Sequence, residues 1–112
     1  MQKLFLSFIA ASILCFTALP TAAQAQSDAA KLYKTNCALC HSADGSGDSP
    51  SGKALHAKDL RSEEVQKQSD EALSEVITKG KGKGKMPAFG ARIKPDDVKK
   101  LVAYLRELPR QK

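Results

Sequence analysis

The sequence predicts an all-α protein of one domain, with three or four helices joined by long loops. Apolar residues recur every three or four positions in three separate segments, which is the spacing of a helix with one buried face. No segment alternates convincingly between apolar and polar residues, as a half-buried strand would. Stretches rich in Gly, Ser, Asp and Pro separate the helical segments, and 112 residues suffice for a single domain.

Residues 1–25 have the pattern of a secretory signal peptide. Lys3 precedes an apolar run of about 16 residues, after which Ala23-Gln24-Ala25 supplies a small-residue cleavage site. We therefore expect cleavage after Ala25, a domain at residues 26–112 and a periplasmic location. An uncleaved membrane anchor is the alternative, although a bilayer span needs roughly 20 apolar residues. Cys15 lies in the apolar run and would be lost with the leader.

The remaining domain is small and basic. Removing 25 of the 112 residues leaves 87, and the loss of Lys3 lowers the formal charge from +6 to +5. So small a chain, without tryptophan, has a thin apolar core, and a large apolar cofactor would complete it. Two cysteines remain, too few for a disulfide framework beyond one bridge. The charge lacks interleaved aromatic residues, which argues against nucleic-acid binding.

The first helix is expected to start at Ser27, a residue type that caps helix N-termini. Its apolar face leads into Cys37-Ala38-Leu39-Cys40-His41, a C-x-x-C-H sequence that indicates covalent attachment of a c-type haem. Two thiols one helical turn apart can each form a thioether, and the adjacent imidazole can reach the iron. A redox-active pair would need a βαβ context, and zinc would need further ligands, so a disulfide or zinc site stays the minor alternative.

Residues 42–52 contain many turn formers and no hydrophobic period, so we expect a loop there. Residues 54–60 are too short to classify, and residues 62–66 suggest a single helical turn. Ser69 is expected to begin a second clear helix that ends at Gly80. The last helix is expected to have Pro95 in its first turn. The buried stripes of these two helices are Leu73, Val76 and Ile77, then Val98, Leu101, Val102, Leu105 and Leu108.

The segment between these helices alternates lysine with glycine, which excludes both a buried strand and a stable helix. We expect an exposed, mobile loop carrying Lys79, Lys81, Lys83 and Lys85. Positive charge there would steer the approach of a redox partner with an acidic docking surface. The alternative is a solvated loop without a partner.

Met86 is the expected second axial ligand of the iron. Apart from Met1 it is the only methionine, and a thioether opposite an imidazole raises the reduction potential because it favours ferrous iron. The alternatives are that Met86 fills a gap in the core, or that His56 takes the sixth position. The expected metal ligands are therefore His41 and Met86, with Cys37 and Cys40 completing the cofactor site.

These features together resemble the class I cytochromes c, and the short middle region is most similar to the small bacterial and cytochrome c6-like members. The resemblance rests on the C-x-x-C-H sequence, on Met86-Pro87-Ala88-Phe89 and on the closing helix. It implies that the first and last helices cross near Tyr33 and Tyr104, with Ala29 where the family usually has glycine. It also implies a proline carbonyl that accepts a hydrogen bond from His41, for which Pro50 is the candidate.

The expected function is soluble, periplasmic transfer of single electrons through one covalent haem c, without enzymatic activity. We expect a monomer with no stable membrane insertion after cleavage. Two alternatives remain open: a haem c subunit of a respiratory oxidoreductase complex, and a small haem peroxidase or gas-binding protein with an open sixth position.

Overall fold

The computed structural model describes residues 18–111. Most of the expected leader, including Lys3 and Cys15, lies outside the described residues. Within residues 18–111 the chain is helical, and a single isolated β-bridge between Lys81 and Met86 takes the place of any strand. The all-α class is therefore confirmed. No helix in this part of the chain is both long and apolar enough to span a bilayer.

The helices vary widely in length. In chain order they are α1 (Ala22–Asn36), α2 (Ala38–His41), α3 (Pro50–Leu55), α4 (Glu63–Gln66), α5 (Asp70–Lys79) and α6 (Pro95–Glu107), followed by a 3₁₀ turn at Leu108–Arg110. The long helices α1, α5 and α6 are the three that the hydrophobic period predicts. The short helices are too brief to show a period, and for this reason the expected number of helices was too low.

Helix α1 begins earlier than expected, so the predicted start at Ser27 is wrong. Thr21 is the N-cap, and its Oγ accepts a hydrogen bond from the backbone N–H of Gln24 at 3.4 Å. Alanine and glutamine have high helix propensity, and they extend the helix through Ala25, the expected cleavage site. Ser27 is therefore an interior residue of α1 in this structure.

The predicted loop at residues 42–52 is wrong at its end. Ser49 is the N-cap of α3, where its Oγ accepts from the backbone N–H of Gly52 at 3.0 Å, and Pro50 occupies the first helical turn. A capping serine followed by proline is a strong helix start even without a hydrophobic period. The single turn expected at residues 62–66 is confirmed as α4, and the start of α5 after Ser69 is confirmed.

The crossing of α1 and α6 is the most extensive contact between helices. The rings of Tyr33 and Tyr104 lie there with centroids 5.2 Å apart and planes tilted by 45°. Ala29 is 2% exposed, so its methyl group fits the close approach of the two helices. The expected crossing is confirmed.

One apolar cluster forms the core and reaches the C-x-x-C-H segment. It contains Tyr33, Val65, Leu73, Ile77, Phe89, Ile93, Val98, Leu101, Val102, Leu105 and Leu108. All the stripe residues predicted for α6 are buried, whereas Val76 of α5 is only half-buried. Cys37, Leu60 and Met86 are partly buried against the cluster, so residues from three parts of the chain meet at the core.

Candidate functional site

The C-x-x-C-H segment continues the end of α1 and forms α2. The N–H of Cys37 donates to the carbonyl of Tyr33 at 2.8 Å, and the N–H of His41 donates to the carbonyl of Cys37 at 2.9 Å. Cys37 and Cys40 are free thiols and are not joined as a disulfide. Burial raises the pKa of the Cys37 thiol to about 11, so this thiol stays protonated at neutral pH.

His41 is oriented by a backbone carbonyl of a distant loop. Its ring Nδ1 lies 3.0 Å from the carbonyl oxygen of Lys58 and donates to it, since a carbonyl can only accept. Burial holds the pKa of His41 below its ordinary value, while the hydrogen bond to Lys58 acts in the opposite direction. The result at neutral pH is an uncharged imidazole whose Nε2 lone pair is available to a metal.

The expectation that Pro50 orients His41 is wrong. Pro50 is the first residue of α3, and the accepting carbonyl belongs to Lys58, eight positions further along the chain. Residue type carries no information about this contact, because any residue supplies a carbonyl. The position of the loop relative to α2 alone determines which one is used.

The residue after His41, Ser42, is held through its carbonyl and through its own side chain. Ser42 has a φ of 66°, which is unusual for a residue other than glycine. Its carbonyl accepts from the Tyr33 hydroxyl at 2.7 Å, and its Oγ accepts from the backbone N–H of Ser49 at 2.8 Å. Burial raises the pKa of Tyr33 above its ordinary value, so the hydroxyl remains a donor. These bonds fix the chain directly behind the imidazole.

Helix α3 packs directly against the backbone of α2. The Ser49 Oγ donates to the carbonyl of Leu39 at 2.6 Å. Gly52 is buried, and a Cβ atom at this position would overlap the carbonyl oxygens of Cys40 and Gly47. Only glycine allows this approach, so Gly52 and Ser49 together hold the turn that carries the two thiols and the imidazole.

Met86 lies at the base of an exposed hairpin formed by the alternating Lys/Gly segment. Met86 is partly buried against the core cluster. The hairpin is exposed, as predicted, but hydrogen bonds between Lys81 and Met86 close it. His56 is exposed and ends α3 in a left-handed conformation with a φ of 55°. Of the two residues considered for the sixth position, Met86 is therefore the one that packs into the core.

The donor set fits a covalently attached haem. Two free thiols lie one turn apart, the adjacent imidazole has its Nε2 available, and a thioether packs against the same apolar cluster as Cys37. Within residues 18–111, no three Cys, His, Asp or Glu side chains converge as a metal-binding group. The described residues therefore offer no complete ligand set for the minor alternative, a zinc site.

The lysines of the hairpin differ in their partners. Lys79 is paired with Glu75 at 2.7 Å. Lys81, Lys83 and Lys85 are exposed, and no acidic group of the described residues lies within 4.0 Å of them. Of these four lysines, the unpaired positive charge therefore lies on the last three.

Sequence reasoning missed four residues that build the site: Tyr33 through its hydroxyl, Ser49, Gly52 and Lys58. The Ser49-Pro50 pair carries a helix-start signal that could have located α3. Gly52 contributes because it has no side chain, and Lys58 contributes through its backbone carbonyl. No local sequence pattern identifies either contact.

Comparison with known proteins places the chain among the c-type cytochromes. The family model described as cytochrome c oxidase, cbb3-type, subunit III matches residues 24–105. Cytochrome c6 of a Nostoc species is 35% identical over 108 residues, which cover 94% of this chain and 92% of that protein. The FixP subunit of a cbb3-type cytochrome c oxidase from Azorhizobium caulinodans is also 35% identical, but the match covers only 26% of FixP.

A solved structure agrees with these matches. The KustC0563 c-type cytochrome superimposes with a TM-score of 0.66 and 35% identity, covering 72% of this chain and 96% of that one. The fold of that cytochrome, the C-x-x-C-H sequence and the Met86-Pro87-Ala88-Phe89 sequence lead to the same assignment. The chain belongs to the class I c-type cytochromes, and its cofactor is a covalently bound haem c.

Proposed function

We propose that this cytochrome carries single electrons between redox proteins in the periplasm, with Cys37 and Cys40 bonded to the haem and His41 and Met86 as axial ligands. Electron transfer by haem c is the function of the family to which the chain belongs. When bound, the haem supplies an iron that changes reversibly between the ferric and ferrous states. The protein binds this group, shields it and tunes its potential.

The single observation that carries the ligand assignment is the hydrogen bond from His41 Nδ1 to the Lys58 carbonyl, at 3.0 Å. It fixes the tautomer with the proton on Nδ1 and leaves Nε2 as a lone-pair donor. It also fixes the ring orientation, as partners behind metal-binding histidines generally do.

Replacing Met86 tests the other ligand. We expect Met86→Ala to keep the covalent haem but to lose the far-red charge-transfer band of the ferric protein, because that band arises from sulfur ligation. The midpoint potential should fall, because the thioether stabilises ferrous iron. The reduced variant should also bind carbon monoxide through the open position. Visible spectroscopy and a redox titration measure these effects.

The matched control is His56→Ala, which removes the exposed histidine considered for the same position. It should leave the band and the potential unchanged. A wild-type band and potential in Met86→Ala would show that another residue ligates the iron. Rapid carbon monoxide binding by the unmodified protein would instead favour the peroxidase or gas-binding alternative.

The partner surface is proposed at Lys81, Lys83 and Lys85. No carboxylate of residues 18–111 forms an ion pair with them, and they lie on the hairpin that ends at Met86. Positive charge at this edge raises the encounter rate with an anionic partner and makes that rate depend on salt. Lys79 is a weaker contributor because Glu75 pairs with it.

Electron transfer to the anion hexacyanoferrate(III) tests this surface. We expect Lys83→Gln combined with Lys85→Gln to slow the reaction several-fold at low ionic strength, and to reduce its salt dependence. The control, Lys31→Gln with Lys34→Gln, removes the same charge from exposed positions of α1. Equal slowing by both pairs would show that net charge matters and that the hairpin is not a docking surface.

A haem c subunit of an oxidase complex is the second candidate, since the family model and the FixP match both come from cbb3-type oxidases. The cytochrome c6 relatives favour a free carrier, because this chain spans 92% of the Nostoc protein and only 26% of FixP. Purification from the native membrane and periplasmic fractions distinguishes the two. A monomer in the periplasm supports the carrier, and persistent binding to one complex at high salt supports the subunit.

The periplasmic location is proposed from the leader pattern of residues 1–25. Cleavage after Ala25 would remove the first turn of α1 as it stands in this structure. Mass spectrometry of the purified protein gives the N-terminal residue directly. A mature chain that begins at Gln26 supports the proposal, and an intact leader supports the membrane anchor.

A further inference from the structure

The segment after the hairpin is bound to the C-terminal end of α5. This segment, Met86–Gly90, is called the strap here. Its Phe89 N–H donates to the carbonyl of Ile77 at 3.0 Å, and its Gly90 N–H donates to the carbonyl of Thr78 at 3.1 Å. Ile77 is itself buried in the core cluster, so the strap is attached to a fixed part of the molecule.

Gly80 lets the strap lie against α5 at the Met86 end. Its φ is +77°, and a Cβ atom there would be 2.6 Å from the Met86 carbonyl oxygen and 2.9 Å from the Ala88 nitrogen. Both are backbone atoms, which cannot rotate away as the end of a flexible side chain can. Any side chain at this position would therefore displace the backbone that carries Met86.

Gly90 makes a second close contact at the far end of the strap. A Cβ atom there would lie 2.8 Å from Thr78 Cγ2 and 3.0 Å from the Thr78 carbonyl oxygen. Gly90 differs from Gly80 because its φ lies outside the left-handed region and because part of the crowding comes from a removable methyl group. The two glycines thus bracket the strap at both ends.

The hairpin contacts Met86 only at its base, where Lys81 and Met86 are hydrogen-bonded to each other. The Lys81 N–H donates to the Met86 carbonyl at 3.0 Å, and the Met86 N–H donates to the Lys81 carbonyl at 3.1 Å. At the tip, Gly84 has a φ of +89°, but a Cβ atom there would have no neighbour within 4 Å. The tip is therefore free to change without moving Met86.

We infer that Gly80 and Gly90 are positioning residues, which hold the Met86 thioether in place by letting the strap lie directly on the end of α5. This inference rests on the proposed ligation of iron by Met86. It assigns the geometry of the distal ligand to α5, which packs into the core through Leu73 and Ile77, and not to the exposed lysine hairpin. Partner docking at the lysines can then occur without loss of the ligand.

Competition with imidazole tests the inference, because added imidazole binds the ferric iron only when the native sixth ligand leaves. The apparent affinity for imidazole therefore reports the fraction of molecules with Met86 detached. We expect Gly80→Ala to raise this affinity by about tenfold or more, and to weaken the far-red band. Gly84→Ala, which also places a side chain at a positive φ but without a clash, should change neither.

A second pair of variants tests the same inference if Gly80→Ala does not fold with its haem attached. Gly90→Ala should raise the imidazole affinity several-fold, and adding Thr78→Ser should reverse part of this rise, because that change removes the crowded methyl group and leaves the carbonyl contact. Imidazole affinities in Gly80→Ala and Gly90→Ala equal to that of Gly84→Ala would overturn the inference. So would a Gly90→Ala effect that Thr78→Ser does not reduce at all.

Met86→Ala separates failure of this inference from failure of the proposed function. A large rise in its imidazole affinity, with no change in the glycine variants, would leave Met86 as the ligand and remove the role of the strap. An unchanged affinity in Met86→Ala would remove Met86 as the ligand, and the proposed function would then need a different sixth ligand.

Discussion

The attachment side of the site, around α2, is held by side chains, whereas the hydrogen bonds of the Met86 side join backbone to backbone. The Tyr33 hydroxyl binds the Ser42 carbonyl, the Ser42 hydroxyl binds the Ser49 N–H, and the Ser49 hydroxyl binds the Leu39 carbonyl within the C-x-x-C-H segment. The strap and the hairpin use carbonyls and N–H groups alone for the bonds described above. The segment with the two cysteines is thus held by side-chain hydrogen bonds that the segment with Met86 lacks among the described residues.

Burial separates α3 from the hairpin, although the strap itself carries the buried Phe89. Gly52, behind the cysteines, is buried, while the hairpin residues 81–85 are exposed. A buried, side-chain-bonded region loses stability when it is changed, because its packing cannot relax. An exposed region bonded through its backbone changes its local equilibrium at a small global cost. We therefore expect variants near α2 to change mainly the free energy of unfolding. Variants near Met86 should change mainly the binding of Met86 to the iron.

Gly52→Ala should have the largest effect on stability. The added methyl group would overlap two backbone carbonyls and force α3 away from α2, so we expect a loss of roughly 3 kcal/mol in the free energy of unfolding. Chemical denaturation of the haem-containing protein measures it. Lys53→Ala, at an exposed position of the same helix, should change stability by less than about 0.5 kcal/mol. Similar values for both variants would contradict the described packing of α3.

Ser49→Ala should have an intermediate effect. It removes the N-cap of α3 and the 2.6 Å bond to the Leu39 carbonyl, so we expect a loss of about 1–2 kcal/mol. Ser69→Ala removes the N-cap of α5 in the same way, at about 1 kcal/mol, but contacts no part of α2. Only Ser49→Ala should shift the midpoint potential. A potential shift in both variants would mean that general loosening, and not the bond to α2, is responsible.

Tyr33→Phe should have the smallest effect of the three. It removes one hydrogen bond of 2.7 Å to the Ser42 carbonyl and keeps the ring at the α1–α6 crossing, so we expect a loss of about 1 kcal/mol. Tyr104→Phe preserves the other ring of the pair and removes a hydroxyl without a hydrogen bond to the described residues. Thermal unfolding should therefore show a lower Tm for Tyr33→Phe alone. Equal Tm values would show that water replaces the lost bond without cost.

The long helices and the core stripe of α6 were predictable, because burial of one helix face repeats with a local period of 3.6 residues. The cofactor was predictable from two cysteines and a histidine at fixed spacing. The start of α1 was not, because residues 22–25 lack a hydrophobic pattern and were assigned to the leader. Helix α3 was missed although the Ser49-Pro50 pair signals it.

The sequence by itself determined the fold class, the haem c and the residue types able to bind it, since these depend on local spacing and on side-chain chemistry. The tertiary structure decided that Lys58, and not Pro50, orients His41, and that Gly52 and Gly80 admit the backbones packed against them. In these contacts, a backbone carbonyl binds a residue far away in the chain, or a distant backbone segment packs against a glycine that has no side chain. They leave no trace in a local pattern, because every residue has a carbonyl and glycine occurs for several reasons.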